Sequence, residues 1–411
     1  MNTNKLGDQL KLPCGAVIKN RLGKSAMSEN MSTKDYKSNV TFNTLYERLA
    51  KGGAGLLITG NIMIDHTALG EPRNVVFEKG HADINLKEWA KAGSQNQTHI
   101  WTQINHPGKQ SPKFLSREPV SASAIGLKPP LNKMFNQPRA LTEKEIYDII
   151  ERFAFAAKVS KDSGFTGVQI HGAHGYLVSQ FLSPLHNQRT DQWGGSIENR
   201  MCFVSQVYQA MRKEVGNKYP IGIKLNSADF QKGGFTQEES MTVVQHLSEQ
   251  GMDLIEISGG TYEAPAMTGR QRDVKDSTRK REAYFLDYCE EVRKFVKTPL
   301  MLTGGFRTSK VMNEALNTGV CDMIGLARSI AVNPEFPNEL VAGKSVESSV
   351  KPLTTGLKFL DHLVPLEIVW YSEQLKRMGR GEDPQPNMSV LKAALSTIIT
   401  IGLQGLKKVR A

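Results

Sequence analysis

The sequence predicts an α/β chain built as a (β/α)8 TIM barrel with an N-terminal hairpin and a helical C-terminal extension. Two observations carry that reading. Short apolar runs rich in β-formers are followed by turn residues and then by longer stretches of helical periodicity, the cadence of parallel β/α units. The runs number eight, at residues 22–27, 55–59, 100–105, 167–171, 221–226, 253–257, 299–303 and 321–325, and eight is the count that closes a barrel. The length of 411 residues exceeds one average domain, yet barrels of about 250 residues pass 400 with insertions. A barrel over residues 1–345 and a helical extension over 346–411 account for the whole chain.

Ahead of the first strand, residues 10–20 (LKLPCGAVIKN) alternate apolar and polar around Pro13 to Gly15, which predicts a hairpin plugging the bottom of the barrel. Helices are expected over 41–53, 141–164 and 236–251, each with an apolar face at helical spacing and a glycine at its end. The second opens on LTEKE, where Thr142 and Glu145 have the spacing of a capping box. Residues 106–140 form a Pro- and Ser-rich excursion, and a connection that long is uncommon unless it covers something, so it reads as a lid. The loop 259–282 after the sixth strand, with Tyr262 as a substrate contact, is expected to shape the site from the other side. Past the barrel, two helices flank the turn-rich GRGEDPQPN. The apolar run 395–406 before Lys407, Lys408 and Arg410 is short for a membrane element; it is expected to pack on its own barrel or on a neighbouring subunit of a homo-oligomer, without stable membrane insertion.

Composition excludes several classes. Hydrophobic residues make up 39% and charged residues 23% of the chain, enough for a large core and too apolar for disorder. The net charge of +11 is spread along the sequence rather than gathered with aromatics into a stripe, so a solvated basic surface is expected and no nucleic-acid partner. Cys14, Cys202, Cys289 and Cys321 are scattered, with no spacing suited to zinc or an iron–sulfur cluster. With no apolar leader or membrane-length run, the expected setting is cytoplasmic.

In such a barrel the chemistry belongs to the carboxyl ends of the strands. The fourth run, GVQIHGAHGY (167–176), delivers His171, His174 and Tyr176 into one turn. Two imidazoles can donate hydrogen bonds to a carbonyl oxygen and a phenol can give up a proton, although such groups also simply satisfy one another beneath a loop. The other strand ends supply Ser25, Ala26, Met27 and Ser28, then Thr59 and Gly60, then Gln103 and His106, then Lys224. The last two end in TGGF, with Gly304 and Gly305, and in GLARS, with Ala327 and Arg328. Small residues there let backbone N–H groups approach a phosphate beside an arginine.

The run HGAHGYLVSQFLSPLHNQRTDQWGGSIENR, residues 171–200, is similar to the signature of the old yellow enzyme family of FMN-dependent NADH:flavin oxidoreductases. KNRLGKSAMS resembles that family's first strand, WTQINHPG its third, and TGGFR with GLARSIAVNPEFPN its phosphate-binding end. The resemblance implies FMN, with Gln103 and Lys224 at the flavin ring, the backbones of Ser25 to Met27 and Gly60 along it, and Gly304, Gly305, Ala327 and Arg328 at its phosphate. It also implies that NADH or NADPH reduces the flavin. An enone- or enal-type substrate then takes a hydride from flavin N5, its carbonyl held by His171 and His174, and a proton from Tyr176. This ene-reductase reading stands beside two others: a metal-dependent barrel hydrolase using His171, His174 and His186, and a non-catalytic flavin-binding scaffold that docks through its C-terminal tail. The chain departs from the family pattern at Ala26, where Pro is common, at Ser28, where Thr or Cys tunes the flavin, and at Lys224, where Arg is usual. A working flavin of altered potential is expected.

Overall fold

The computed structural model describes residues 4–264, 283, 285–351, 353–356 and 366–393. Eight parallel strands form the barrel: β1 Leu22–Lys24, β2 Leu56–Met63, β3 His99–Asn105, β4 Gly167–Gly172, β5 Ile221–Asn226, β6 Leu254–Ser258, β7 Leu300–Thr303 and β8 Met323–Leu326. Each pairs with its sequence neighbour, and β8 pairs back onto β1 to close the ring. All eight predicted runs are barrel strands. β2 runs four residues past its predicted end because its register shifts between Ile58 and Asn61. The Thr59 hydroxyl fixes that irregularity by donating to the Gly60 carbonyl at 2.8 Å and accepting the Gln103 N–H at 3.1 Å.

Alternation along the strands sorts the side chains into two cores. Residues such as Leu22, Leu57, Ile104, Val168, Ile170 and Ile223 face outward into the helical shell. The opposite faces of the strand beginnings, with Leu56, Ile58, Trp101, Leu254, Met301 and Met323, form a separate cluster inside the ring. The predicted hairpin, Leu10–Lys11 paired with Val17–Ile18, closes that cluster from below with Leu10, Leu12 and Ile18. Trp101 fills the axis: a Cβ at Gly167 or Gly222 would lie 2.4 and 2.9 Å from its ring. The bottom of the barrel is thus sealed by apolar side chains, which leaves the polar ones to the carboxyl end.

The helices follow the predicted pattern at Val40–Lys51, Glu143–Asp162 and Gln237–Glu249. Thr142 and Glu145 form the expected capping box, a motif worth about 1 kcal/mol. Of the two predicted post-barrel helices, the first is present as Leu366–Gly379. It packs on the first barrel helix and donates a hydrogen bond from Ser372 Oγ to the Ser28 carbonyl at 2.8 Å. The apolar run 395–406 and residues 265–282 of the β6 loop lie outside the described residues. Among the described residues, no helix is long and apolar enough to cross a membrane.

Candidate active site

The end of β4 supplies the first reactive groups. His171 is buried on the inner face of the strand, and its Nδ1 accepts the Ala173 N–H at 3.3 Å, which places the proton of the neutral ring on Nε2. The chain then reverses through His174 at φ 61° and Gly175 at φ 77°, two successive left-handed residues that fold the second imidazole back beside the first. His174 Nε2 lies 2.9 Å from the Ser258 hydroxyl, its backbone N–H donates to Asn226 Oδ1 at 3.2 Å, and Gln110 of the lid donates to its carbonyl at 3.0 Å. Ring centroids are 5.1 Å apart for His171 and His174 and 4.7 Å for His171 and Tyr176, both edge to face. Burial above all, then His174 beside His171 and the Lys224 ammonium beside both, holds the two imidazoles well below the ordinary histidine range. They are neutral N–H donors at neutral pH rather than cations.

Tyr176 is buried, and its hydroxyl lies 2.8 Å from that of Tyr262. Burial, followed by the nearby Tyr262 and Glu71, raises the phenol well above its usual range, so it stays protonated, with the Asn61 carboxamide in reach to oppose that rise. Glu71, in the loop after β2, accepts a hydrogen bond from Ser28 and another from Asn74 Nδ2 at 3.4 Å. Lys376 of the C-terminal helix faces the same carboxylate.

Below this group a plate of hydrogen-bonded side chains crosses the barrel. Gln103 Nε2 donates to Gln169 Oε1 at 2.7 Å, and Gln169 Nε2 donates to Glu256 Oε2 at 2.8 Å. Glu256 Oε1 accepts from Thr303 at 2.7 Å and pairs with Lys224 Nζ at 3.1 Å, while Ser25 joins Thr303 at 2.8 Å. Glu256 and Lys224 are both buried, so the predicted cation at the flavin ring stands in a neutralised pair.

The rim fits FMN. A Cβ at Gly60 would lie 2.6 Å from the Met27 carbonyl, so glycine lets the β2 backbone close on the Ser25–Met27 segment. Gly304 at φ 130° and Gly305 at φ 87° present a backbone that side chains rarely adopt, beside Ala327 and Arg328 at the start of a short helix, as a phosphate cradle requires. Asn105 is completely buried, and among the described residues both its polar side-chain atoms and Asn61 Oδ1 have no hydrogen-bond partner. Buried polar atoms without partners at the mouth of the barrel mark where bound molecules complete the structure.

His106, expected on the rim, instead turns outward toward Asp65 and Arg152, and burial lowers its pKa to about 4. His186 does not join the other two histidines. It sits 2.9 Å from Lys109 Nζ and 3.7 Å from Glu263, tying the lid to the β4 and β6 loops. Among the described residues, the one cluster with metal-ligand geometry is Asp65, His66 and Glu78, outside the barrel mouth, so the hydrolase set is not assembled. Tyr262 reaches the site from the β6 loop, and its hydroxyl shares a hydrogen bond with that of Tyr176. The residues that the sequence reading did not single out are Asn61, Glu71, Asn105, Gln169 and Glu256.

This geometry has counterparts. The model of the NADH:flavin oxidoreductase / NADH oxidase family matches residues 13–347. An NADH-dependent flavin oxidoreductase of Hypocrea jecorina is 36% identical over 363 residues, covering 83% of this chain and 90% of the relative. Among solved structures, a 2-naphthoyl-CoA reductase superposes with a TM-score of 0.77 at 26% identity over 85% of this chain, which spans only 54% of that longer enzyme. An old yellow enzyme homologue from Zymomonas mobilis shares the fold, with a TM-score of 0.71 at 24% identity, over 84% of this chain and 94% of that one. With a closed barrel and a family match over residues 13–347, the chain belongs to the NADH:flavin oxidoreductase / NADH oxidase family, whose members work with FMN and NAD(P)H.

Proposed function

We propose that the protein is an ene-reductase, using NAD(P)H to reduce the activated C=C bond of small α,β-unsaturated carbonyl compounds. The observation that carries this is the meeting of two neutral imidazoles and a protonated phenol around one turn. Nε2–H of His171 is free to donate, because its Nδ1 is already occupied by a backbone N–H. When the Ser258 hydroxyl donates to His174 Nε2, the His174 proton sits on Nδ1 and makes a second donor. Two donors on one carbonyl oxygen polarise the conjugated bond and stabilise the negative charge that develops there. Bound FMN supplies the electron pair, reloaded by NAD(P)H. Tyr176 supplies the proton to the carbon next to the carbonyl. The lid, bound to the turn through Gln110, excludes water from the developing charge.

An anaerobic stopped-flow experiment on the FMN-loaded protein tests the reading. NADH or NADPH should bleach the flavin absorbance, and 2-cyclohexen-1-one should restore it. Tyr176→Phe should slow the restoring step by about 10²–10⁴-fold, the usual contribution of a positioned acid, with bleaching preserved. Bleaching by NAD(P)H with no enone-dependent recovery would remove the enone reading.

A further inference from the structure

Each turnover leaves Tyr176 without its proton at a buried position, and the next turnover needs it back. Tyr176 itself is 6% exposed. Its hydroxyl lies 2.8 Å from that of Tyr262, which enters from the β6 loop, is half-buried, and sets its ring centroid 6.4 Å from that of Phe135 in the lid. The first residues of that loop are held independently: Thr261 bridges to His174, and the Gly260 carbonyl accepts from Asn226 at 3.1 Å. We propose that Tyr262 is the proton relay of the site, returning a proton to Tyr176 after each transfer to substrate carbon and recovering its own from water. This rests on the enone reading above.

The step balances without any redox partner. The O–H bond of Tyr262 breaks as the O–H bond of Tyr176 re-forms, water reprotonates Tyr262, and the proton lost from the pair leaves in the product. The direction follows from exposure: Tyr262 is half-buried and Tyr176 buried, so a transient negative charge is better solvated on Tyr262 than on Tyr176. A tyrosine at this position therefore does more than shape the substrate cavity.

The test compares two oxidants on the NADH-reduced holoenzyme. 2-Cyclohexen-1-one needs a proton on carbon, whereas p-benzoquinone is protonated on oxygen from solvent. In Tyr262→Phe, the ratio of steady-state enone turnover to quinone turnover should fall about tenfold or more. The first enone turnover should run ahead as a burst, since Tyr176 starts protonated. Added imidazolium buffer should restore turnover in proportion to its concentration, an effect that lost packing would not produce. Tyr262→His, which keeps a proton-transferring group, should retain most of the wild-type ratio and guards against a folding defect. An unchanged ratio in Tyr262→Phe, or an equal loss in the first and later turnovers without buffer rescue, overturns the relay alone. Absence of any enone turnover in the wild-type enzyme, with quinone turnover intact, overturns the enone reading and the relay with it.

Discussion

Replacing Glu256 with Gln tests the plate beneath the rim. The carboxylate lies 3.1 Å from Lys224 Nζ and accepts from Gln169 and Thr303, with both members of the ion pair buried. At that separation and an effective dielectric of about 20, the Coulomb attraction is roughly 5 kcal/mol. Breaking one side of such a buried pair costs about 3–5 kcal/mol, because the other charge is left desolvated and alone. Unfolding entropy of about 2.1 cal/mol/K per residue over 411 residues makes 1 kcal/mol worth about 1.2 °C in Tm. Glu256→Gln should therefore lower the Tm of the FMN-free protein by about 4–6 °C, and Lys224→Met by a similar amount. The double variant should recover part of the loss, since no unpaired charge remains, giving a coupling of about 2 kcal/mol or more. Near-UV circular dichroism of the four proteins measures this. Single variants within about 1 °C of wild type, or a double variant equal to the sum of the singles, would refute the buried-pair argument.

The remaining predictions concern the mouth of the barrel. His171 and His174 are held well below the ordinary histidine range and Tyr176 well above the ordinary phenol range, so none changes charge near neutrality. Enone-dependent reoxidation should be flat from about pH 6 to pH 9, and a break near 6.5, the free histidine value, in a stopped-flow pH series would contradict the neutral clamp. Among the described residues the buried donor and acceptor of Asn105 are unpaired, at a cost of about 1–3 kcal/mol in the absence of a ligand. Asn105→Leu should therefore raise the Tm of the FMN-free protein by a degree or more while weakening the KM for substrates that carry a second polar group. A lowered Tm would show that the carboxamide is satisfied without a ligand.

The strands and the turn at His171 were legible because both follow from local rules: alternation of apolar residues, glycine at helix ends, and a run of polar side chains just past an apolar strand. Asn61 was hidden by the irregularity of β2. A strand read as ending at Thr59 stops short of it, and only the register shift at Gly60 returns Asn61 to the inner face beside Gln103. Glu71 has a local partner in Asn74, but what brings it to the site is distant: Ser28 lies 43 residues before it and Lys376 at the far end of the chain. Glu256 was within reach. It sits between two isoleucines in a strand buried on both sides, and a carboxylate there needs a cation, which the preceding strand offers at Lys224, its register partner.

For an FMN seated as the family resemblance implies, that pairing changes what Lys224 would offer the flavin. A lone ammonium at the ring would stabilise negative charge on the reduced cofactor across the low-dielectric interior. Paired with Glu256, it presents a dipole whose field falls off faster with distance. The balance is set by the hydrogen bonds that Gln169 and Thr303 give to the same carboxylate, and Gln169 is also the acceptor for Gln103. With FMN seated as the family resemblance implies, a change at Glu256 would reach the flavin by two routes, by unmasking Lys224 and by freeing Gln103. Lys224 also stands beside His171 and His174 and lowers the pKa of both, so a change at Glu256 would reach the two imidazoles as well as the cofactor side of the plate.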